Sequence, residues 1–401
     1  MSIKQSLKQF SKTCVYVIIY HIKGMVKKLE TKEIWAFSKS FVRREGILLL
    51  ACVLAAVSSL LAAPKAEYID WHVLVLLYCL MLVVGGFKKR RILDHCAVWL
   101  LQKCVSLRQI TAALLLVTFI SSMFVTNDVA LITFVPLTLI IGKEAGMDVG
   151  KIIVWQTLAA NLGSMLTPMG NPQNLFLYAR YDFDIITFLK VTLIPTFLAG
   201  LVLAVFLMRQ QERPLKVSLT AVNVTRGWGL GVLDVLFLLC VATVFRWFDH
   251  WLLLAVTVTA MLMMDRSLFR QIDYSLLLTF GGFFIFIGNL TQFDFLNVVR
   301  DSFLGSVAGT YFSGIAASQL ISNVPAAMLL AAFTQQREAL LLGVNIGGLG
   351  TLIASMASVI AYKLFSEAYP AQVRHYLLLF LYYNTIGLLL LVPSVYFLLL
   401  Y

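Results

Sequence analysis

Two pairs of small polar residues occupy the middle of long apolar runs: Thr126 and Asn127 within 108–141, and Ser322 and Asn323 within 307–334. A hydroxyl beside a side-chain amide offers donors and acceptors without a formal charge, which suits either a hard cation or an anion. Each pair is followed by an apolar stretch interrupted by glycines and polar residues. The first interruption is 161–174, with Asn161, Gly163, Thr167, Pro168, Gly170, Asn171, Pro172 and Asn174; the second is 345–351, with Asn345, Gly347, Gly348, Gly350 and Thr351. Unwound backbone at membrane depth is tolerated only where it is buried in protein or lines a cavity, so a duplicated interruption of this kind points to a binding site.

Placing 121–137 on 317–333 sets Thr126 opposite Ser322, Asn127 opposite Asn323 and Ala130 opposite Ala326. The interrupted segments that follow align in the same order at their own offset, which sets Asn161 opposite Asn345, Gly163 opposite Gly347, Thr167 opposite Thr351, Asn171 opposite Ser355 and Asn174 opposite Ser358. Helix ends leave backbone N–H and C=O groups unpaired, so cations find oxygens and anions find positive helix starts. The glycines permit close backbone approach and positive φ, and Pro168 and Pro172 remove amide donors and stop a helix. The expectation is two clusters of oxygen ligands flanking one solute site near the midplane. Its candidate solute-binding residues are Thr126, Asn127, Thr167, Pro168, Gly170, Asn171, Asn174, Ser322, Asn323 and Thr351. Candidates for cation or proton coupling are Asp128, Asn127, Gly163, Asn323 and Gly347.

Asp128 is the acid at the heart of an intramembrane element, where ionisable residues are costly and mark ion or proton pathways. It suits a proton carrier or a sodium ligand. The plainer alternative is an N-cap for a helix over 129–141. Asp234 reads as a helix-start acid, and His72 and His375 as span-end residues. Gln156, Gln319, Asn289 and Gln292 read as makers of interhelical hydrogen bonds.

These residues need a membrane frame to hold them. With 60% hydrophobic and 13% charged residues and a mean hydropathy of +0.87 over 401 residues, the chain departs from a soluble globule, about a quarter of which is charged. The expected fold is an all-α polytopic membrane protein. Seven apolar stretches fit a span of roughly 30 Å: about 46–63, 68–86, 185–208, 229–247, 249–264, 274–291 and 375–400, with interrupted spans at 150–178 and 339–366. The runs 108–141 and 307–334 then read as re-entrant helical hairpins. With the N-terminus cytoplasmic, this arrangement places 26 Lys and Arg inside and six outside (Lys65, Arg180, Lys190, Arg246, Arg300 and Arg337), in keeping with the positive-inside rule. The asymmetry collapses if either hairpin crosses fully, so the two halves are expected to be inverted repeats.

The expected organisation is a basic amphipathic segment 1–45 lying on the membrane surface, a first repeat 46–208, a cytoplasmic loop and linker helix 209–248, and a second repeat 249–401. Amphipathic arms are expected at 92–107 and 293–303. The net charge of +12 is explained by topology and implies no nucleic acid, and the six cysteines show neither metal spacing nor a disulfide pattern.

The asparagine-bearing tips, together with 160–174, resemble the ion transporter superfamily, in particular its arsenite-permease-like and divalent-anion:sodium-symporter-like members, over about 41–400. The resemblance implies a homodimer with a scaffold and a moving transport domain, and elevator-type anion transport coupled to sodium or protons. Symporter members carry Ser-Asn-Thr at both tips. Here the third position is Asp128 in one half and Val324 in the other.

The functional expectation is a secondary active transporter of a small anionic solute in the cell inner membrane, with no cofactor except sodium as a coupling ion. The alternatives are a cation/proton antiporter and an arsenite-type export permease or channel. An intramembrane enzyme is not expected, because the chain has neither a His-Glu-x-x-His metal motif nor an acid pair at matched depth.

Overall fold

The computed structural model describes residues 46–145, 147–215, 224, 227–293 and 303–401. The expected surface segment 1–45, residues 216–223, 225 and 226 of the linker and residues 294–302 of the second arm lie outside the described residues. The described chain is almost entirely helical, as its apolar runs require, since a backbone in lipid must satisfy its own hydrogen bonds. Among the described residues, four helices are long and apolar enough to cross a membrane unaided: Trp71–Lys89, Leu107–Val125, Ile185–Met208 and Pro370–Leu400.

Two units are distinct. In one, α1 (Gly46–Leu61) lies along a partner from much later in the chain, Tyr274–Leu290. Gly282 meets the backbone of Ala51, and the Asn289 amide donates to Ser58 and Ser59 Oγ at 3.1 and 3.2 Å. The expected interhelical role of Asn289 is therefore met.

The other unit contains α2 (Trp71–Lys89) and the short α3 (Ile92–Leu101), which falls within the expected first arm. Next come the hairpin α4 (Leu107–Val125) and α5 (Asn127–Ala145), the broken pair α6 (Gly150–Gly163) and α7 (Pro172–Arg180), and the long α8 (Ile185–Met208). After α9 (Trp228–Val244) and α10 (His250–Met264), and with Tyr274–Leu290 numbered α11, the pattern recurs: hairpin α12 (Val307–Ile321) and α13 (Asn323–Ala331), broken pair α14 (Arg337–Ile346) and α15 (Met356–Ala368), long α16 (Val373–Val395). Within this unit α2 packs on both α9 and α10.

The hydrophobic core sits around the broken helices. Residues 152–163 of α6 are all buried, and 339–346 of α14 likewise, as expected of helices apolar on every side. They pack against α4 and α12 respectively.

Candidate functional site

Both hairpins are built alike. Ser106 and Ser306 cap the first arms through their hydroxyls, which accept from Gln109 N and Gly309 N. Each chain reversal is then made by one residue: Thr126 at φ 75°, ψ 152° and Ser322 at φ 74°, ψ 152°. That region belongs essentially to glycine, and holding another residue there costs on the order of 1–3 kcal/mol. The surrounding fold must over-determine these tips, and such strain concentrates at ligand sites and switches.

The broken helices supply that restraint by the same device in both halves. The Thr167 hydroxyl donates to the Met123 carbonyl, three residues before the first tip, and the Thr351 hydroxyl donates at 3.1 Å to the Gln319 carbonyl, three before the second. Gly163 sits so close to Phe119 and Ser122 that a Cβ would collide with them, and Gly347 is pressed equally against Ser318. Gly170 closes the first tip by accepting from the Asn127 amide N–H at 3.1 Å.

Positive φ was expected of several glycines and is found at Gly350 alone among them, at 102°. Pro172 begins α7 rather than ending a helix. The first break opens at Ser164, ahead of Pro168, and the side chain of Asn171 caps the new helix by accepting from Asn174 N.

The halves are joined by asparagines. Asn161 Oδ1 accepts from Asn127 Nδ2 at 3.1 Å and from Ser355 Oγ at 2.9 Å, while its Nδ2 donates to Ser358 Oγ and the Gly348 carbonyl at 3.3 and 3.4 Å. Asn345 Oδ1 accepts from Asn171 Nδ2 at 3.1 Å, and its Nδ2 donates to Asn174 Oδ1 at 2.6 Å. Asn174 also donates to the carbonyls of Ser164, Met165 and Thr167, satisfying the backbone that the break exposes. Asn171 and Asn174 are thus committed to holding the first break.

The two tips differ in what they leave unused. The Asn127 amide is bound to Asn161, whereas the buried Asn323 amide makes no hydrogen bond and lies over Gly348. Beside it Ser322 Oγ is fully buried without a partner, although a buried hydroxyl costs on the order of 1–3 kcal/mol when unpaired. Asp128 stands in the first turn of α5 and its backbone N–H is bound by Asn127 Oδ1 at 3.0 Å. The capping alternative is not realised, since the Asp128 carboxylate accepts no hydrogen bond. Pro168 is buried, and Thr351 lies exposed at the surface.

Asn161, Asn345, Ser355 and Ser358 were legible only as markers of the repeat, yet they form its centre. Ser164, Gln319, Thr192 and Asn384 join the site beyond the residues that its sequence motifs mark. Gln319 donates to the Gly347 and Leu349 carbonyls, both at 2.8 Å, and accepts from Thr351 N. The following long helices brace the breaks: Thr192 of α8 donates to the Leu166 carbonyl at 3.0 Å, and Asn384 of α16 accepts from Gly350 N at 3.3 Å. A single buried amide inside the apolar run 375–400 was the available signal for Asn384. Gln156 bridges Thr118 and Thr138, the interhelical role expected of it.

Comparison with known proteins fits this architecture. Residues 34–339 match the family described as citrate transporter, CitMHS. An uncharacterized transporter of Methanocaldococcus jannaschii is 33% identical over 299 residues, covering 74% of this chain and 81% of its own length. The inner membrane protein YbiR of Escherichia coli is 29% identical over 320 residues, covering 76% and 83%. The crystal structure of the Alcanivorax borkumensis YdaH transporter shares the fold, with a TM-score of 0.51 at 14% identity over 87% of this chain and 96% of that one. The chain is therefore a multi-pass membrane transport protein, not an enzyme, and belongs to the CitMHS citrate transporter family.

Proposed function

We propose that the protein is a secondary active transporter that moves a small anionic solute through a site between the two hairpin tips, coupled to a sodium or proton gradient. The observation that carries this reading is the pair Ser322 and Asn323: an unpartnered buried hydroxyl and an unbonded buried amide at a strained tip, beside the side chains of Asn127, Asn161, Asn171, Asn174 and Asn345, which are all hydrogen-bonded. Together they offer O–H and N–H donors beside the start of α13, where helix polarity favours negative charge. No Lys or Arg hydrogen-bonds to this network among the described residues, so recognition rests on dipoles and neutral groups. The proposed solute-binding set is Thr126, Asn127, Thr167, Pro168, Gly170, Asn171, Asn174, Ser322, Asn323 and Thr351, with Asn171, Asn174, Thr167 and Thr351 shaping the breaks.

Coupling is assigned to Asp128 with Asn127, Gly163, Asn323 and Gly347. A carboxylate without a hydrogen bond inside an intramembrane hairpin also favours a second reading, a cation/proton antiporter. The mechanism proposed is an elevator in a homodimer, with inverted repeats, the N-terminus cytoplasmic and the cell inner membrane as its location. Counterflow in proteoliposomes, with and without a sodium or pH gradient, tests the assignment, beginning with citrate because of the family and continuing through dicarboxylates, sulfate and arsenite. Exchange of a labelled anion without net current supports a carrier; current without exchange overturns it in favour of a channel.

A further inference from the structure

A cavity of about 160 Å³ opens at the end of α2 opposite Trp71, lined by Gly86, Lys89, Arg90, Leu233, Met264, Asp265 and Leu268. It is a built feature. A side chain at Gly86 would collide with Leu233, and one at Gly229 with the Arg90 guanidinium, so two glycines keep α9 close to the basic end of α2. Lys89 is fixed by Asp265 and by Ser267 Oγ at 2.7 Å.

The depth of the cavity follows from α2 itself. Its 19 residues extend roughly 28 Å, close to the thickness of a bilayer's hydrocarbon core. Trp71 lies tilted against Trp251 at the other end, where an aromatic belt would sit, so Lys89 and Arg90 fall at the opposite headgroup level. Exposed Trp228, at the first turn of α9, marks that same level. Lys88 and Lys89 end α2, Arg90 and Arg91 follow it, and Arg266 and Arg270 lie in the turn after α10, which packs on α2.

We propose that this cavity is a headgroup site for an anionic phospholipid, with the phosphate held by Arg90 and Lys89 and the first acyl carbons against Leu233, Met264 and Leu268. A basic pocket between helix ends with an apolar inner wall complements an anionic lipid in charge and polarity. Arginine's fork suits a phosphate, and Lys89 adds a point charge. The site is separate from the hairpin tips and does not depend on the transport reading.

The test uses the purified full-length protein, stripped of lipid and titrated with phosphatidylglycerol or with phosphatidylcholine of matched chains, followed by native mass spectrometry and melting. Wild type is expected to retain phosphatidylglycerol at least tenfold more tightly than phosphatidylcholine and to melt higher with it. Arg90→Gln should remove that preference and Arg90→Lys should keep most of it. Leu268→Trp, which leaves every charge and fills the cavity, should expel the lipid and serves as the second probe if Arg90→Gln does not fold. Equal retention of the two lipids, unchanged retention in Leu268→Trp, or inorganic phosphate matching the lipid's stabilisation and displacing it would each overturn the proposal, the last by identifying a soluble-anion site.

Discussion

Asn161 and Asn345 hold equivalent positions at the ends of α6 and α14, and each is hydrogen-bonded to the helix start that follows the other half's break. Asn161 is bound to Ser355 and Ser358, Asn345 to Asn171 and Asn174. In the alignment of the halves, Ser355 and Ser358 are the counterparts of Asn171 and Asn174, so one interaction is made twice with the partners exchanged. Either break can therefore move only if the other half's asparagine lets go or moves with it.

That exchange predicts measurable coupling. Asn345→Ala and Asn171→Ala should each lower stability by about 1–3 kcal/mol, because each leaves a buried amide unpaired. Their effects should fall short of additive by on the order of 1 kcal/mol. Asn161→Ala with Ser355→Ala should behave likewise. Thermal or denaturant melting in nanodiscs measures both cycles, and additive losses would show that the cross-links carry no shared energy.

The tips predict a contrast between two matched variants. Asn127→Ala removes a bond to Asn161 and should lower the melting temperature by several degrees, whereas Asn323→Ala removes none and should melt like wild type. Both should abolish uptake in proteoliposomes. Normal uptake in Asn323→Ala would sink the solute site, whatever its stability.

Much of this was readable from residue types. The alternation of apolar runs with polar interruptions placed both hairpins and both breaks within a few residues, because helix length in lipid is set by hydrophobic thickness. The strained tips were not readable: Thr126 and Ser322 occupy a region reserved for glycine, and a hydroxyl residue carries no turn signal of that kind. The roles of Gly163 and Gly347 were half visible, since spacing indicates that a glycine is needed but not whether for φ or for contact. Pairing of α1 with α11 depends on helices more than 200 residues apart, which no local pattern encodes.

The opposite sidedness of the hairpins is tested by single cysteines. In a background lacking the six native ones, Asp128→Cys and Val324→Cys should react with an impermeant maleimide from opposite faces of the membrane. Labelling of both from one side under every condition would remove the inverted arrangement.

Acid should loosen the tie between α2 and the turn after α10. Hydrogen bonds from Lys89 and Ser267 lower the Asp265 carboxyl from 3.8 to about 2. A depressed carboxylate stabilises the fold above its unfolded value and loses that contribution as pH falls through the folded one. The melting deficit of Asp265→Asn against wild type should therefore be full above about pH 4 and shrink toward pH 2. A deficit that grows with acid contradicts the assignment.

Asp128 decides how transport is driven. Its carboxylate accepts no hydrogen bond in the hairpin, so Asp128→Asn forfeits no cap and should fold and melt like wild type. If the carboxylate carries a proton or binds sodium, the variant keeps shape and amide polarity but loses the titratable charge, and gradient-driven accumulation should fall at least tenfold while solute exchange survives. Uptake is measured against a pH gradient and a sodium gradient separately. Loss of response to pH alone identifies a proton carrier, and loss of response to sodium alone identifies a cation ligand. Accumulation that remains gradient-dependent at wild-type rates would move coupling to the neutral oxygens around Asn127, Asn323, Gly163 and Gly347, where carbonyls and amides could hold a sodium ion without an acid.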